Sequence, residues 1–196
     1  YYRASGKMSA TIVTAGAGAS NAITGIVSNW ADSIPGIIIS GNEGSNYIKE
    51  QEHLRMYGTQ GFNIAKMVKD VTKWSHCLLD EADTQHQLEF CYQISNMDRK
   101  GPVLLDIPFD IQSKTTTLKP WSPFVETPNI HSKDGTKYII DQINKAKKPL
   151  ILGGNGIRLS DSKDQFNKFI NQTKLPTTLT WSGIDLLESD NDNFYG

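Results

Sequence analysis

At 196 residues, with 20 Lys and Arg against 21 Asp and Glu, the chain is long enough for one large or two small domains and is nearly neutral. No basic cluster is interleaved with aromatics, which argues against a nucleic-acid partner, and no apolar run approaches the roughly 20 residues that a membrane span needs. The two cysteines, Cys77 and Cys91, have no metal-type spacing and are too few for a disulfide framework, so ordinary core thiols in a reducing, cytoplasmic compartment are expected.

The chain opens on Tyr1-Tyr2-Arg3, which reads as the last turn of a helix, and stops at Asn193-Phe194-Tyr195-Gly196 without a closing element; an internal fragment of a longer protein is expected. Ser9 to Thr14 is a β-branched run that reads as a buried strand, ending at Ala15-Gly16-Ala17-Gly18, where small residues let the backbone turn sharply and approach a ligand. Ala22, Ile23, Ile26, Val27 and Trp30 recur at helical spacing, so a helix capped by Ser20 or Asn21 follows. Pro35 ends that connection, and Gly36 to Ser40 is an apolar run of strand length. The order is a βαβ unit whose ligand-facing edge carries Gly16, Gly18, Ser20 and Asn21. From spacing alone, a glycine turn kept for packing and one kept for a ligand are equally consistent, since the pattern is not G-x-G-x-x-G.

Asn42 to Gly61 reads as a polar loop with one short helix, and Asn63 to Val71 as a surface helix with Ile64, Met67, Val68 and Val71 inward. Thr72-Lys73-Trp74 starts an extended piece, and Asp83 is placed to cap a helix that turns Leu88, Cys91 and Tyr92 inward. Val103 to Pro108 is a buried-type strand bounded by prolines, beside which Asp106 and Asp110 are expected to fix a turn; nothing in the sequence points to a raised pKa at either. Residues 113–133, rich in Thr, Ser and Pro, read as a linker. Then Asp134 caps a helix with Ile139, Ile140, Ile143 and Ala146 inward, leading to strand Leu150-Ile151-Leu152 and the tight turn Gly153-Gly154-Asn155-Gly156. Ser162 with Gln165 has capping-box spacing, and a strand runs from Leu175 to Thr180. The fold class expected is α/β, with domains at 1–112 and 134–196 and parallel sheets in both.

The blocks Tyr2-Arg3-Ala4-Ser5-Gly6-Lys7, TAGAGASNAITG, Asp32-Ser33-Ile34-Pro35 and Ile39-Ser40-Gly41, with GPVLLDIPFDIQ from Gly101, resemble the pyrimidine-binding domain of thiamine diphosphate enzymes of the acetolactate synthase group. The resemblance implies a parallel-sheet pyrimidine-binding domain over 1–112, missing its amino-terminal part, and an incomplete Rossmann-like central domain from 134. It implies decarboxylation of a 2-keto acid, in the first instance pyruvate, with carboligation to an acceptor. Gly16, Ala17, Gly18 and Asn21 would then face the cofactor's pyrimidine ring, although Ala17 departs from the family's proline. Thr59 and Gln60 would face the substrate, Thr59 standing where the synthases have Phe; the bland alternative is two solvated loop residues.

The same resemblance sets the activating Glu upstream of Tyr1 and the magnesium ligands in a further domain, so Glu43, Glu50 and Glu52 are not assigned as catalytic base. It implies a homodimer or homotetramer, because the family's site forms between subunits. In several members the central domain holds FAD, which would bring Gly154, Asn155, Gly156, Thr180 and Trp181 against it; a turn that binds nothing is the alternative. Other thiamine branches stay open, namely sulfoacetaldehyde acetyltransferase, glyoxylate carboligase and an acyl-CoA decarboxylase, as does a non-catalytic flavin- or nucleotide-binding module. The segment ending LRMYGTQGF is similar to enzymes that join an acetyl unit to a keto sugar.

Overall fold

A computed structural model describes residues 1–51, 53–121 and 133–196; Glu52, the stretch 122–132 and the side chains of Lys133 and Asp134 lie outside the described residues, and with them the expected cap at Asp134 and part of the expected linker. The chain divides into two compact units, Tyr1–Val125 and Glu126–Gly196.

In the first unit, helix α1 (Tyr2–Ser5) leads to strand β1 (Ser9–Val13), the short helix α2 (Ala17–Ser20), α3 (Ile23–Ala31) and β2 (Gly36–Asn42). Helices α4 (Ser45–Gln51) and α5 (Ile64–Met67), strand β3 (Trp74–Cys77), helix α6 (Thr84–Asn96), strand β4 (Pro102–Pro108) and α7 (Phe109–Gln112) follow. The four strands form one parallel sheet in the order β1-β2-β4-β3. Side chains alternate across it, so Ile38 and Leu104 meet α3 and α5 through Ile26, Ile64 and Val68 on one face. Val103 and Leu105 meet α6 and α7 through Cys91 and Ile111 on the other. Covering both faces is what parallel strands require, and it explains why β4 is almost continuously buried. The edge strand β1 is different: Ile12 is 79% exposed.

Several local expectations are corrected. Neither Ser20 nor Asn21 caps α3; Ser20 closes α2, its hydroxyl donating to the Ala17 carbonyl at 2.8 Å. Val27 and Trp30 are largely exposed, leaving Ile26 as the fully buried member of that stripe. The expected surface helix is two pieces, α5 capped by Asn63, which accepts from the Lys66 N–H at 2.8 Å, and a 3₁₀ turn over Lys69–Val71; Met67 points outward. Asp83 makes no capping bond to α6, and Tyr92 is half exposed. Instead Asp80 accepts from the Ala82 N–H at the 3₁₀ turn before it.

The second unit contains helix α8 (Lys133–Lys145), strand β5 (Ile151–Gly153), helices α9 (Gly156–Leu159) and α10 (Lys163–Thr173) and strand β6 (Thr177–Leu179), with β5 and β6 parallel. Its core gathers Ile170, Leu179, Leu186 and Leu187. The Ser162–Gln165 capping box does not form, because the Ser162 hydroxyl donates to the Ser160 carbonyl. Ile139 and Ile140 of α8 are exposed rather than inward, as is Ala146, and so are Leu150 and Leu152 beside them in sequence. A two-stranded sheet has too little surface to bury helices on both faces, which leaves these apolar groups uncovered in this chain.

Replacing the fully buried Leu104 with Ala is expected to cost about 2–5 kcal/mol, whereas Ile12→Ala on the exposed edge stays within about 0.5 kcal/mol. Urea unfolding midpoints measure both, and equal losses would contradict the layer assignment.

Candidate functional site

The site is assembled at the carboxyl ends of the parallel strands, where open α/β sheets place ligands. β1 runs into Gly16, whose backbone has φ 65 and ψ −130, a conformation that residues with a Cβ rarely adopt. A Cβ there would lie 2.8 Å from the carbonyl oxygen of Gln60, and one on Gly18 would lie 2.2 Å from Thr14 Cγ2. Both glycines are therefore needed by the chain's own packing. Their close approach brings Gly16 and Gln60, expected on cofactor and substrate sides respectively, against one another.

Gln60 belongs to a turn closed by reciprocal bonds between Tyr57 and Gly61, each N–H donating to the other's carbonyl at 3.0 Å. One carboxylate oxygen holds this turn. Glu43 Oε1 accepts from the N–H of Thr59 at 3.0 Å, from the N–H of Gln60 at 3.0 Å and from the Thr59 hydroxyl at 3.1 Å. Gly58 and Gly61 make room for it: their missing Cβ atoms would lie 2.5 Å from Glu43 Cδ and 2.7 Å from its Cγ. The Gln60 N–H, ahead of the opposing effect of burial, holds the Glu43 carboxyl below the usual range. An acid that must protonate and deprotonate on a heterocycle needs the opposite shift, so Glu43 is suited to fixing the turn. The Thr59 hydroxyl is engaged by Glu43.

Behind the turn is a buried polar cluster on three adjacent strands. Asp106, fully buried, accepts from the Ser40 hydroxyl at 2.6 Å and from Asn42 Nδ2 at 2.5 Å. The Cys77 thiol is a further hydrogen-bond partner. The same Asn42 amide also donates to the Phe62 carbonyl at 3.3 Å, and Asn42 Oδ1 accepts from the Glu43 N–H at 2.8 Å. The cluster thus fixes both the residue that carries the carboxylate and the far end of the turn. Burial raises the Asp106 carboxyl to about 6, against the pull of its hydrogen bonds, a shift to which nothing in the sequence points. Asp110 is the other case: burial pushes its carboxyl up, but the Ser45 N–H and hydroxyl, at 2.9 and 2.7 Å, prevail and hold it low. Burial also pushes both cysteine thiols up, Cys91 to about 12, as core thiols behave.

The remaining expected residues are dispersed. Ala17 is exposed beside Gly16, while Asn21 lines a separate hollow of about 210 Å³ with Thr11, Gly25 and Asn29. In the second unit, Gly154, Asn155, Gly156, Thr180 and Trp181 do converge, the Thr180 N–H donating to the Gly153 carbonyl at 2.8 Å. Trp181 is 95% exposed, and a Cβ on Gly156 would meet nothing within 4 Å. The Asn155 side chain is taken by Arg158, and α9 is a single turn with few peptide dipoles to sum. These residues make one open wall. Among the described residues no three His, Cys, Asp or Glu side chains gather as a metal site, and no helix is long and apolar enough to cross a membrane.

Residues 1–67 match the family model "Thiamine pyrophosphate enzyme, N-terminal TPP binding domain", and residues 136–196 match "Thiamine pyrophosphate enzyme, central domain". The chain is 30% identical to the acetolactate synthase isozyme 2 large subunit of Escherichia coli K12, over 100% of this chain and 35% of that one. It is 29% identical to the Lactococcus lactis large subunit, over 95% and 32%, and 28% identical to the chloroplastic acetolactate synthase of Arabidopsis thaliana, over 98% and 28%. Among solved structures, a chain ascribed to a thiamin diphosphate-dependent enzyme of Mycobacterium smegmatis shares the fold at a TM-score of 0.77 and 21% identity, covering 92% of this chain and 34% of that chain. The chain spans about a third of the length of these relatives.

Between pH 3.8 and about 6, native Asp106 keeps a proton that the unfolded chain has released, so stability falls as pH rises through that window and levels off above it. The full effect is about 3 kcal/mol, and it is expected to vanish in Asp106→Asn when urea unfolding is followed across the window; an unchanged slope contradicts the assignment. At the turn the sign is reversed. Glu43 supports it above the unfolded pKa and releases it as pH falls through the depressed folded one, so the Thr59 and Gln60 amide resonances are expected to titrate with a midpoint below 4.5. Glu43→Gln should speed exchange of those two amides about tenfold or more. Unaltered exchange would show that the carboxylate does not hold the turn.

Proposed function

This chain belongs to the thiamine pyrophosphate enzymes, and from that premise we propose that its parent protein decarboxylates a 2-keto acid, pyruvate in the first instance, and joins the remaining two carbons to an acceptor. The observation that carries the reading is the contact between the Gly16 bend and Gln60, fixed by Glu43. Bound thiamine diphosphate would supply the electron sink for loss of carbon dioxide.

The residues present fit one side of such a cofactor. Gly16 is buried against Gln60, while exposed Ala17 and half-buried Gly18 offer backbone without a bulky side chain to a heterocycle, and the exposed Thr59–Gln60 turn borders the bend. Gln60 orients the substrate, and Glu43 holds Gln60. Thr59, held by Glu43, is smaller than the aromatic residue expected at this place in the synthases, which suits an acceptor larger than a second pyruvate. The activating glutamate and the magnesium ligands are contributed by other parts of the enzyme, and a homodimer or homotetramer completes the pocket. The cytoplasm is the proposed compartment.

The intact protein, given thiamine diphosphate and magnesium, is expected to release carbon dioxide from pyruvate. Gln60→Ala should raise the KM for the acceptor by about tenfold while leaving cofactor affinity near its parent value. Turnover of sulfoacetaldehyde, glyoxylate or an acyl-CoA without carbon dioxide from pyruvate would move the reading to another branch. A bound flavin with no dependence on thiamine diphosphate would favour a non-catalytic module.

A further inference from the structure

A second concavity in the first unit is not used by the proposed reaction. It has a volume of about 570 Å³ and is enclosed by α4, the Tyr57 end of the turn, α5 with the 3₁₀ turn after it, and β3. Three lysines line it: Lys49 from α4, Lys66 from α5 and Lys69 from the 3₁₀ turn. No lining residue is an acid, and none of these lysines forms an ion pair among the described residues. In another hollow of this unit the basic groups are engaged: Lys73 donates to the Met97 carbonyl, Arg99 to Ser33 and Lys100 to Tyr2. The contrast matters because the whole chain carries a net charge of only −1, so three uncompensated ammonium groups around one hollow do not follow from a basic composition.

All three lysines are exposed at the rim of a concave, partly apolar wall, so their ammonium groups can close on an anion held in the hollow. Lysine ammonium groups are point charges suited to phosphoryl oxygens, and Ser75 and His76 on β3 add hydrogen-bonding groups to the same lining. The hollow is far larger than an inorganic ion needs, and Ile48 and Leu79 supply apolar surface for an organic moiety. We infer that this pocket binds a small phosphate ester, with its phosphoryl group among Lys49, Lys66 and Lys69. Tyr57, buried at 4% exposure, lines the pocket and also closes the turn that carries Gln60, so an occupant touches the back of the turn described above.

Ribose 5-phosphate is the probe and ribose its uncharged control, titrated into the chain without thiamine diphosphate and followed by calorimetry and by backbone amide shifts. Saturable binding of ribose 5-phosphate is expected, with shifts at Tyr57 and Ser75, a marked weakening at higher salt and none with ribose. The double substitution Lys66→Ala and Lys69→Ala should weaken binding at least tenfold, Lys49→Gln should weaken it severalfold, and Lys168→Ala on the second unit should leave it unchanged. These surface changes remove no core contact, and circular dichroism checks that each variant folds. No saturable binding, or binding that survives the double substitution, overturns the inference. Because the titration contains no thiamine diphosphate and reads no turnover, its failure is separate from failure of the decarboxylation assay.

Discussion

One carboxylate oxygen with three donors organises this molecule's candidate site. The exposed Thr59–Gln60 turn presents consecutive N–H groups in one direction, and Glu43 accepts from both at the end of β2, which holds the turn in that shape. The glycines around it follow from that contact. The Glu43 side chain fills the space a Cβ on Gly58 would take, Tyr57 and Glu43 together fill it at Gly61, and the Gln60 carbonyl does so at Gly16. Sterics and hydrogen bonding thus converge on one arrangement, in which a strand-end bend and a loop more than forty residues away in sequence share a surface.

That surface is rigid because the sheet beneath it is. Asp106 joins β2 to β4 through Ser40 and Asn42, and Asn42 passes the constraint to Phe62 and to Glu43. A buried carboxylate is a costly way to tie strands together, as its raised pKa shows. Its return is position: three strand ends are fixed to one another at the edge where the parallel sheet opens.

Much of this was legible in the sequence, and the boundary has physical causes. The strands at Gly36 and Pro102 were readable because parallel strands covered on their faces are apolar runs, and the strand at Ser9 from its β-branched residues, although the burial expected of it is absent at this exposed edge. The bend at Gly16 to Gly18 was readable from its small residues, although packing against Thr14 and Gln60 supplied part of the reason for them. The grip of Glu43 was not, since a hydrogen bond between residues 43 and 60 depends on how the loop folds back; a run of glycines and free turn amides after a strand-end acid was the one clue. The Asp106 shift depends on burial among three strands that no local pattern reports. The stripe on α8 had helical spacing, but spacing says which residues share a face and not whether anything covers it.

On the reading proposed above, backbone at Gly16 to Gly18 and the turn held by Glu43 form one wall of a thiamine diphosphate pocket. A crystal structure of the intact enzyme with thiamine diphosphate tests it most directly. The aminopyrimidine ring is expected in van der Waals contact with the Gly16–Gly18 backbone, with the Gln60 side chain bordering the same cavity. A ring bound elsewhere, with the bend sealed by the protein's own side chains, would contradict it.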